Sequence, residues 1–159
     1  MVLLNLKCKH HIKLFNQNIN IIFFNNLSEA RPYIQSKTNY TYVSYTPGYY
    51  SPLCDAHKYN FSDIGTSHQV IGQEFENVIA ILDTNFYYDE NENLRAKKIE
   101  HNPYSTYKMF LQQITRVISK LELVVIGNID LYNKIMSIFE EDKIENLHLC
   151  NFSIYCGKI

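Results

Sequence analysis

Val78-Ile79-Ala80-Ile81-Leu82-Asp83 is an unbroken apolar run that ends in a carboxylate. A strand with one face in solvent alternates apolar and polar residues, whereas a strand covered on both faces has no reason to. The run therefore reads as an interior strand of a parallel sheet, and the rest of the chain is arranged around it. Downstream, Tyr104–Lys120 carries Tyr107, Phe110, Leu111, Ile114, Val117 and Ile118 at helical spacing, and Leu121–Ile126 is a second uninterrupted apolar strand. Gly127-Asn128 then turns the chain into a helix over Asp130–Glu140, with Leu131, Ile135, Ile138 and Phe139 facing inward. Between the two strands, Asp89–Asn93 is a polar turn after Phe86-Tyr87-Tyr88, a surface excursion of hairpin type whose charges are expected to be solvated.

Upstream, Asn18–Phe24 is rich in β-branched and aromatic residues and reads as a buried strand. A short helix follows to about Ser36, capped by Asn26 or Ser28, with Leu27, Ala30 and Ile34 on one face. Tyr40–Tyr45 is the next strand. A strand, a helix and a strand in close succession form a right-handed crossover, which argues for a parallel sheet rather than a meander. From Thr46 to Gly65, Pro47-Gly48 and Ser51-Pro52 mark an extended loop, and Leu147–Ile159 has room for a final strand or two. No repeat, low-complexity block or linker divides residues 1–159, so one domain is expected.

Composition agrees. The 159 residues are 46% hydrophobic, enough for a sizeable core. Fifteen basic against sixteen acidic residues give a formal charge of −1, which removes the bulk positive field of non-specific nucleic-acid binders. The apolar runs are far shorter than the ~20 residues that cross a bilayer, so no membrane association is expected. Val2-Leu3-Leu4 precedes Lys7 and Lys9, the reverse of a secretory signal. The expected setting is cytoplasmic, where Cys8, Cys54, Cys150 and Cys156 are reduced thiols and the sequons at Asn39, Asn60 and Asn151 carry no meaning. Cys8, His10 and His11 set against Cys150 and Cys156 lack the close ligand pairing of a structural zinc site, so no metal is expected.

Two segments carry more information than their periodicity requires. Thr66-Ser67-His68-Gln69-Val70-Ile71-Gly72-Gln73-Glu74-Phe75 leads straight into the central strand. Its T-x-H-x-x-x-G-x-E-F pattern resembles motif V of superfamily 1 DNA/RNA helicases. Gln112-Gln113-Ile114-Thr115-Arg116-Val117-Ile118-Ser119-Lys120-Leu121, between a helix and a strand, resembles motif VI of the same superfamily with its Thr-Arg pair. The chain as a whole is similar to the second, C-terminal RecA-like domain of such helicases, in UvrD/Rep-like or Schlafen-type form. The resemblance covers about residues 18–136 and is strongest over 66–83 and 107–128. It implies a three-layer α/β domain of the RecA-like, P-loop-NTPase type with a mostly parallel sheet.

The resemblance also implies roles. In the family, ATP lies between two RecA-like domains, and phosphoryl transfer is catalysed by positioning and charge stabilisation. By position Arg116 is the arginine finger, and its planar fork suits a phosphate better than lysine does. Gly72 would let the backbone approach the nucleotide where a Cβ would obstruct, Glu74 would accept a hydrogen bond from ribose, and Gln112 would sense the nucleotide. Thr66 and His68 would face single-stranded nucleic acid. Read without the resemblance, the same residues are a helix-end arginine paired with a carboxylate, a turn glycine, a strand-edge carboxylate, a solvated glutamine and ordinary polar residues before a strand. The tyrosines around Thr46–Ser51 have two readings as well, base stacking and core packing.

The gaps narrow the expectation. No G-x-x-x-x-G-K-[ST] segment exists to cradle phosphates, and Thr84 follows Asp83 where a helicase would have glutamate. Ile118 and Ser119 stand where charged residues often follow the Thr-Arg pair. ATP and magnesium are therefore expected only in a site completed by a P-loop-containing helicase domain, in cis or in trans, and none is expected to bind this chain alone. The alternative is a helicase-derived, non-catalytic module that binds nucleic acid or protein.

Overall fold

A computed structural model describes residues 18–47, 58–98 and 103–140. Its centre is a four-stranded sheet of β1 (Ile19–Phe24), β2 (Thr41–Tyr42), β3 (Phe75–Leu82) and β6 (Val117–Ile126) in the order β1-β6-β3-β2. All three pairings are parallel: Ile19 opposes Leu121, Val78 opposes Leu121 from the other side, and Thr41 opposes Val78. Val78–Leu82 is fully buried inside this sheet, as its unbroken apolar run requires.

Helices cover both faces. Consecutive strand residues point to opposite sides, and Phe23 and Phe24 meet different helices. Phe24 packs on Tyr33 of α1 (Leu27–Ser36) at 5.2 Å between ring centres. Phe23 packs on Tyr132 of α3 (residues 129–140) at 5.6 Å. A third helix, α2 (Thr106–Ile114), packs against β3 and β6. Asn26 caps α1: its side chain accepts from the Glu29 N–H at 3.1 Å and donates to the Glu29 carboxylate at 2.7 Å, a reciprocal arrangement. Leu131, Ile135 and Phe139 of α3 are buried, one helical stripe on the sheet.

One buried charge crosses the apolar layers. Glu122, in the middle of β6, is 1% exposed; its Oε2 accepts from Lys37 Nζ and from Asn20 Nδ2, both at 3.1 Å. Lys37 is the C-cap of α1, and its ammonium lies over the rings of Tyr33 and Tyr40. The pair pins the end of α1 to the sheet.

The structure moves several expected boundaries. The helix before β6 ends at Ile114 instead of reaching Lys120, and β6 begins at Val117, ahead of Leu121. The β-branched Val117 and Ile118 extend the strand because Phe75 N–H donates to Arg116 O at 2.8 Å and opens the ladder there. Phe75 opposes Val117 while Asn77 opposes Lys120, so β6 carries one extra residue, a bulge, just after Arg116. β2 is shorter than Tyr40–Tyr45: after Tyr42 the chain leaves the ladder, and among the described residues its remaining strand-like pairing is an isolated bridge between Ser44 and Thr66.

The polar turn is a hairpin of β4 (Phe86–Tyr88) and β5 (Leu94–Ala96), but its charges are engaged, not merely solvated. Asp89 accepts from the backbone N–H groups of Asn91 and Asn93 and pairs with Arg95 at 2.8 Å, and Glu92 pairs with Lys134 of α3 at 2.7 Å. The Asp89 carboxyl is held below its usual range, first by Arg95 and then by Asn93. The expected tail strands, the four cysteines and most of the tyrosine-rich loop lie outside the described residues.

Candidate functional site at the amino edge of the sheet

The segment before β3 and the segment before β6 reach the sheet at the same edge because their strands are parallel neighbours. The Phe75–Arg116 backbone hydrogen bond joins them directly. Thr66–Val70 forms a compact turn in which the Gln69 and Val70 N–H groups donate to Thr66 O. Gln69 Oε1 accepts from both the N–H and the hydroxyl of Thr66, at 2.8 and 3.1 Å. Val70 is buried and anchors the turn.

His68 is exposed and oriented. Thr46 Oγ1 lies 2.7 Å from His68 Nδ1 and accepts from the His68 N–H at 3.3 Å, and the ring sits 4.2 Å from that of Tyr104. Its Nε2 has no hydrogen-bond partner among the described residues and can donate outward. Ser67, one residue earlier, is fully buried. Its N–H and hydroxyl both donate to Ser44 O, at 2.9 and 3.2 Å. Its carbonyl accepts from Gln112 Nε2 at 2.7 Å and its hydroxyl from Gln113 Nε2 at 3.1 Å.

Arg116 is half-buried between α2 and β6. Its N–H donates to Gln113 O at 3.2 Å, so the backbone is fixed from both sides. The side chain is not: Nε is buried without a partner, and no carboxylate among the described residues pairs with the guanidinium. Among the described residues, the helix-end ion pair that would give this arginine a purely structural role is not formed.

The other sequence candidates fall on the same edge with different outcomes. Gly72 has φ +83°, and a Cβ there would meet nothing within 4 Å. The glycine serves a left-handed turn, and the space that a Cβ would take is open. Glu74 is exposed, and no hydrogen bond links it to Arg116. Gln112 has its amide on Ser67 O. Sequence reasoning did not single out Ser67, Gln113 or Tyr104. A polar residue at Gln113, one position from Ile114 and three from Phe110, was the available sign, since it falls on the inward stripe of α2.

The carboxyl edge is built differently. Asp83 ends β3 and accepts from Tyr59 Oη at 2.9 Å and from Asn85 N and Nδ2 at 2.9 and 3.0 Å. Asn128 ends β6: its amide donates to Asp83 O and Phe86 O while its Oδ1 caps α3 at Leu131 N. Gly127 has φ +63°, and a Cβ there would lie 3.2 Å from Asn25 O, so β1 and β6 close together with little space between them. The Glu29 carboxylate already fills the N-terminus of α1, the kind of position where a doubly wound sheet would hold a phosphate. A shallow groove of about 390 Å³ beside this edge is lined by Phe86, Tyr87, Tyr88, Lys97, Asp130 and Lys134, among others.

Among the described residues no three His, Cys, Asp or Glu side chains gather to hold a metal ion, and no helix is long and apolar enough to cross a membrane. What the structure establishes is a mixed α/β arrangement, a parallel four-stranded sheet flanked by helices; no family model, curated protein or solved structure matches the chain.

Proposed function

We propose that this chain is the C-terminal RecA-like part of an ATP-dependent superfamily 1 helicase, contributing Arg116 to an ATP site completed by a P-loop domain outside it. The observation that carries the reading is the unpaired guanidinium of Arg116, set beside the Thr66–Phe75 segment by the Phe75–Arg116 hydrogen bond. An arginine kept half-buried without a carboxylate is poised for an anion from elsewhere. Phosphate suits it, because the departing γ-phosphoryl gathers charge on its equatorial oxygens.

The residues present fit one part of an ATP site. Arg116 would meet the phosphoryl oxygens, and Glu74, in solvent immediately before the Arg116-bonded Phe75, would accept from ribose. At the carboxyl edge the Glu29 carboxylate occupies the α1 N-terminus, which is why the reading assigns the phosphate cradle to a separate P-loop domain. ATP supplies the transferable phosphoryl group, and magnesium would be held by the P-loop partner. Thr66 and His68 would face single-stranded nucleic acid, with His68 Nε2 as a donor to a phosphate oxygen. The setting that goes with this reading is cytoplasmic, where the four cysteines would be reduced thiols.

The test is complementation. The chain alone is expected to show no ATP turnover. Mixed with or fused to a superfamily 1 P-loop domain, it is expected to restore strand-stimulated hydrolysis, and Arg116→Ala should lower that rate by about 10³-fold or more. Turnover by the isolated chain that disappears in Arg116→Ala overturns the division of labour.

A second reading, a non-catalytic nucleic-acid-binding module, draws on Ile118 and Ser119 after the Thr-Arg pair, with Ile118 61% exposed where a charge is usual. It predicts salt-sensitive binding of a single strand without nucleotide. A flat anisotropy titration counts against it.

A further inference from the structure

The last turn of α2 and the segment just beyond its C-cap Thr115 hold two buried polar atoms without partners, Gln113 Oε1 and Arg116 Nε. Gln113 is 1% exposed and sits among Met109, Phe110 and the sheet. An unpaired buried carbonyl is destabilising, and a methionine of similar length would fill the same space without that penalty. What the amide supplies instead is one bond, Nε2 to Ser67 Oγ at 3.1 Å. A residue that breaks local consistency for the sake of a single long-range bond is a candidate for work other than stability.

That bond lies between the two ends of the candidate site. On one side Ser67 stands between Thr66 and His68, and Thr46 clamps His68 at both its N–H and its Nδ1. On the other side the Gln113 carbonyl accepts from Arg116 N, and Arg116 O accepts from Phe75 N. The first shift of the turn that carries His68 therefore moves Ser67, and Ser67 is tied to the residue that holds the backbone of Arg116. Gln112 makes a parallel bond to the Ser67 carbonyl at 2.7 Å, so α2 stays docked when the Gln113 bond is removed.

We propose that Gln113 is a positioning residue, a strut through Ser67 that couples the strand-facing turn to the backbone from which the Arg116 guanidinium projects. What the two ends touch rests on the helicase reading above; the link between them does not, and it can be tested without any ligand. The chain has three arginines, so the Nε–H region of a ¹⁵N-correlated NMR spectrum is simple, and Arg116→Lys assigns the Arg116 signal. Thr46→Val releases the His68 clamp. In the native background it is expected to shift the Arg116 Nε–H signal, and in a Gln113→Met background that shift should fall by at least half. Ser67→Ala, which cuts the same bond from its other end, should give the same loss and carries the test if Gln113→Met fails to fold.

An equal Arg116 shift with and without the Gln113 amide overturns the strut, as does no shift on Thr46→Val in the native background. A second arm adds a ten-nucleotide oligodeoxythymidine. If it binds, native chain should show the Arg116 shift and Gln113→Met should bind within about twofold while losing it. If the oligonucleotide does not bind native chain, the nucleic-acid reading fails, and the ligand-free cycle still decides the strut.

Discussion

The two edges of the sheet are made of similar residues and finished in opposite ways. At the carboxyl edge Asp83, Asn85, Asn128, Asn26 and Glu29 satisfy one another, and Gly127 lets two strand ends close with little space between them. At the amino edge Arg116 and Gln113 keep buried polar atoms unpaired, Gly72 turns in open space, and Ile71 and Ile118 stand 62% and 61% exposed. Tyr88 Oη and Glu122 Oε1 are also buried without a partner, so what marks the amino edge is that two such atoms lie within four residues, beside exposed Ile71 and Ile118. The contrast separates the edge that holds the fold from the edge that is offered outward.

That contrast can be broken by substitution. The largest expected effect is the loss of about 10³-fold in reconstituted hydrolysis on Arg116→Ala. The same change should leave the unfolding temperature of the isolated chain nearly unchanged, because no described residue is paired with the guanidinium. A large thermal destabilisation would make Arg116 a structural residue.

Next is Lys37→Met, which strands the Glu122 carboxylate and should cost about 3 kcal/mol in a urea titration. That is the lower end for a broken buried pair, since the Lys37 side chain remains 29% exposed. The glycines sharpen the comparison further. Gly127→Ala adds a contact of 3.2 Å to a left-handed backbone and should destabilise by roughly 2–3 kcal/mol, whereas Gly72→Ala meets only the backbone term of about 1 kcal/mol. Equal losses at the two positions would erase the distinction between a closed edge and an open one.

The smallest effect near neutrality is on pH. Burial raises the phenol pKa of Tyr42, Tyr45 and Tyr88 above the ordinary 10.0, with Asp83 adding to the effect at Tyr45 and Glu92 at Tyr88. A phenol that holds its proton more tightly when folded contributes stability that is complete below pH 10.0 and lost as pH climbs past it. Alkaline unfolding and tyrosinate absorbance should therefore rise together above that value. Gradual titration of all tyrosines with circular dichroism unchanged would contradict the burial of these three.

The interior of the fold was legible because burial writes itself into local pattern. Val78–Leu82 and the largely apolar Leu121–Ile126 became the two central strands, and of the two cap candidates for α1, Asn26 and Ser28, the structure uses Asn26. The boundary after Ile114 was not legible: Val117 and Ile118 continue the helical stripe of Phe110 and Ile114, and only pairing with Phe75 makes them strand. Glu122 and Lys37 lie 85 residues apart, so no local pattern could foretell their bond. At the amino edge, the resemblance alone linked the Thr66–Phe75 and Gln112–Arg116 segments; that β3 and β6 are neighbours is a long-range pairing with no local signal. The partners of Ser67 and Gln113 were not legible either, because a buried serine and glutamine look in sequence like any other polar residues.

The pairing of β1 with β6 has a consequence for synthesis. Asn20 and Glu122 are 102 residues apart, and no described strand other than β6 pairs with β1. At ribosomal speeds of about 5–20 residues per second, the Ile19–Phe24 segment emerges on the order of 5–20 seconds before its mate. During that interval an aggregation-prone hydrophobic hexapeptide awaits its neighbour, so the nascent polypeptide should be a chaperone client, and slowing translation before Val117 should lower its recovery in soluble form.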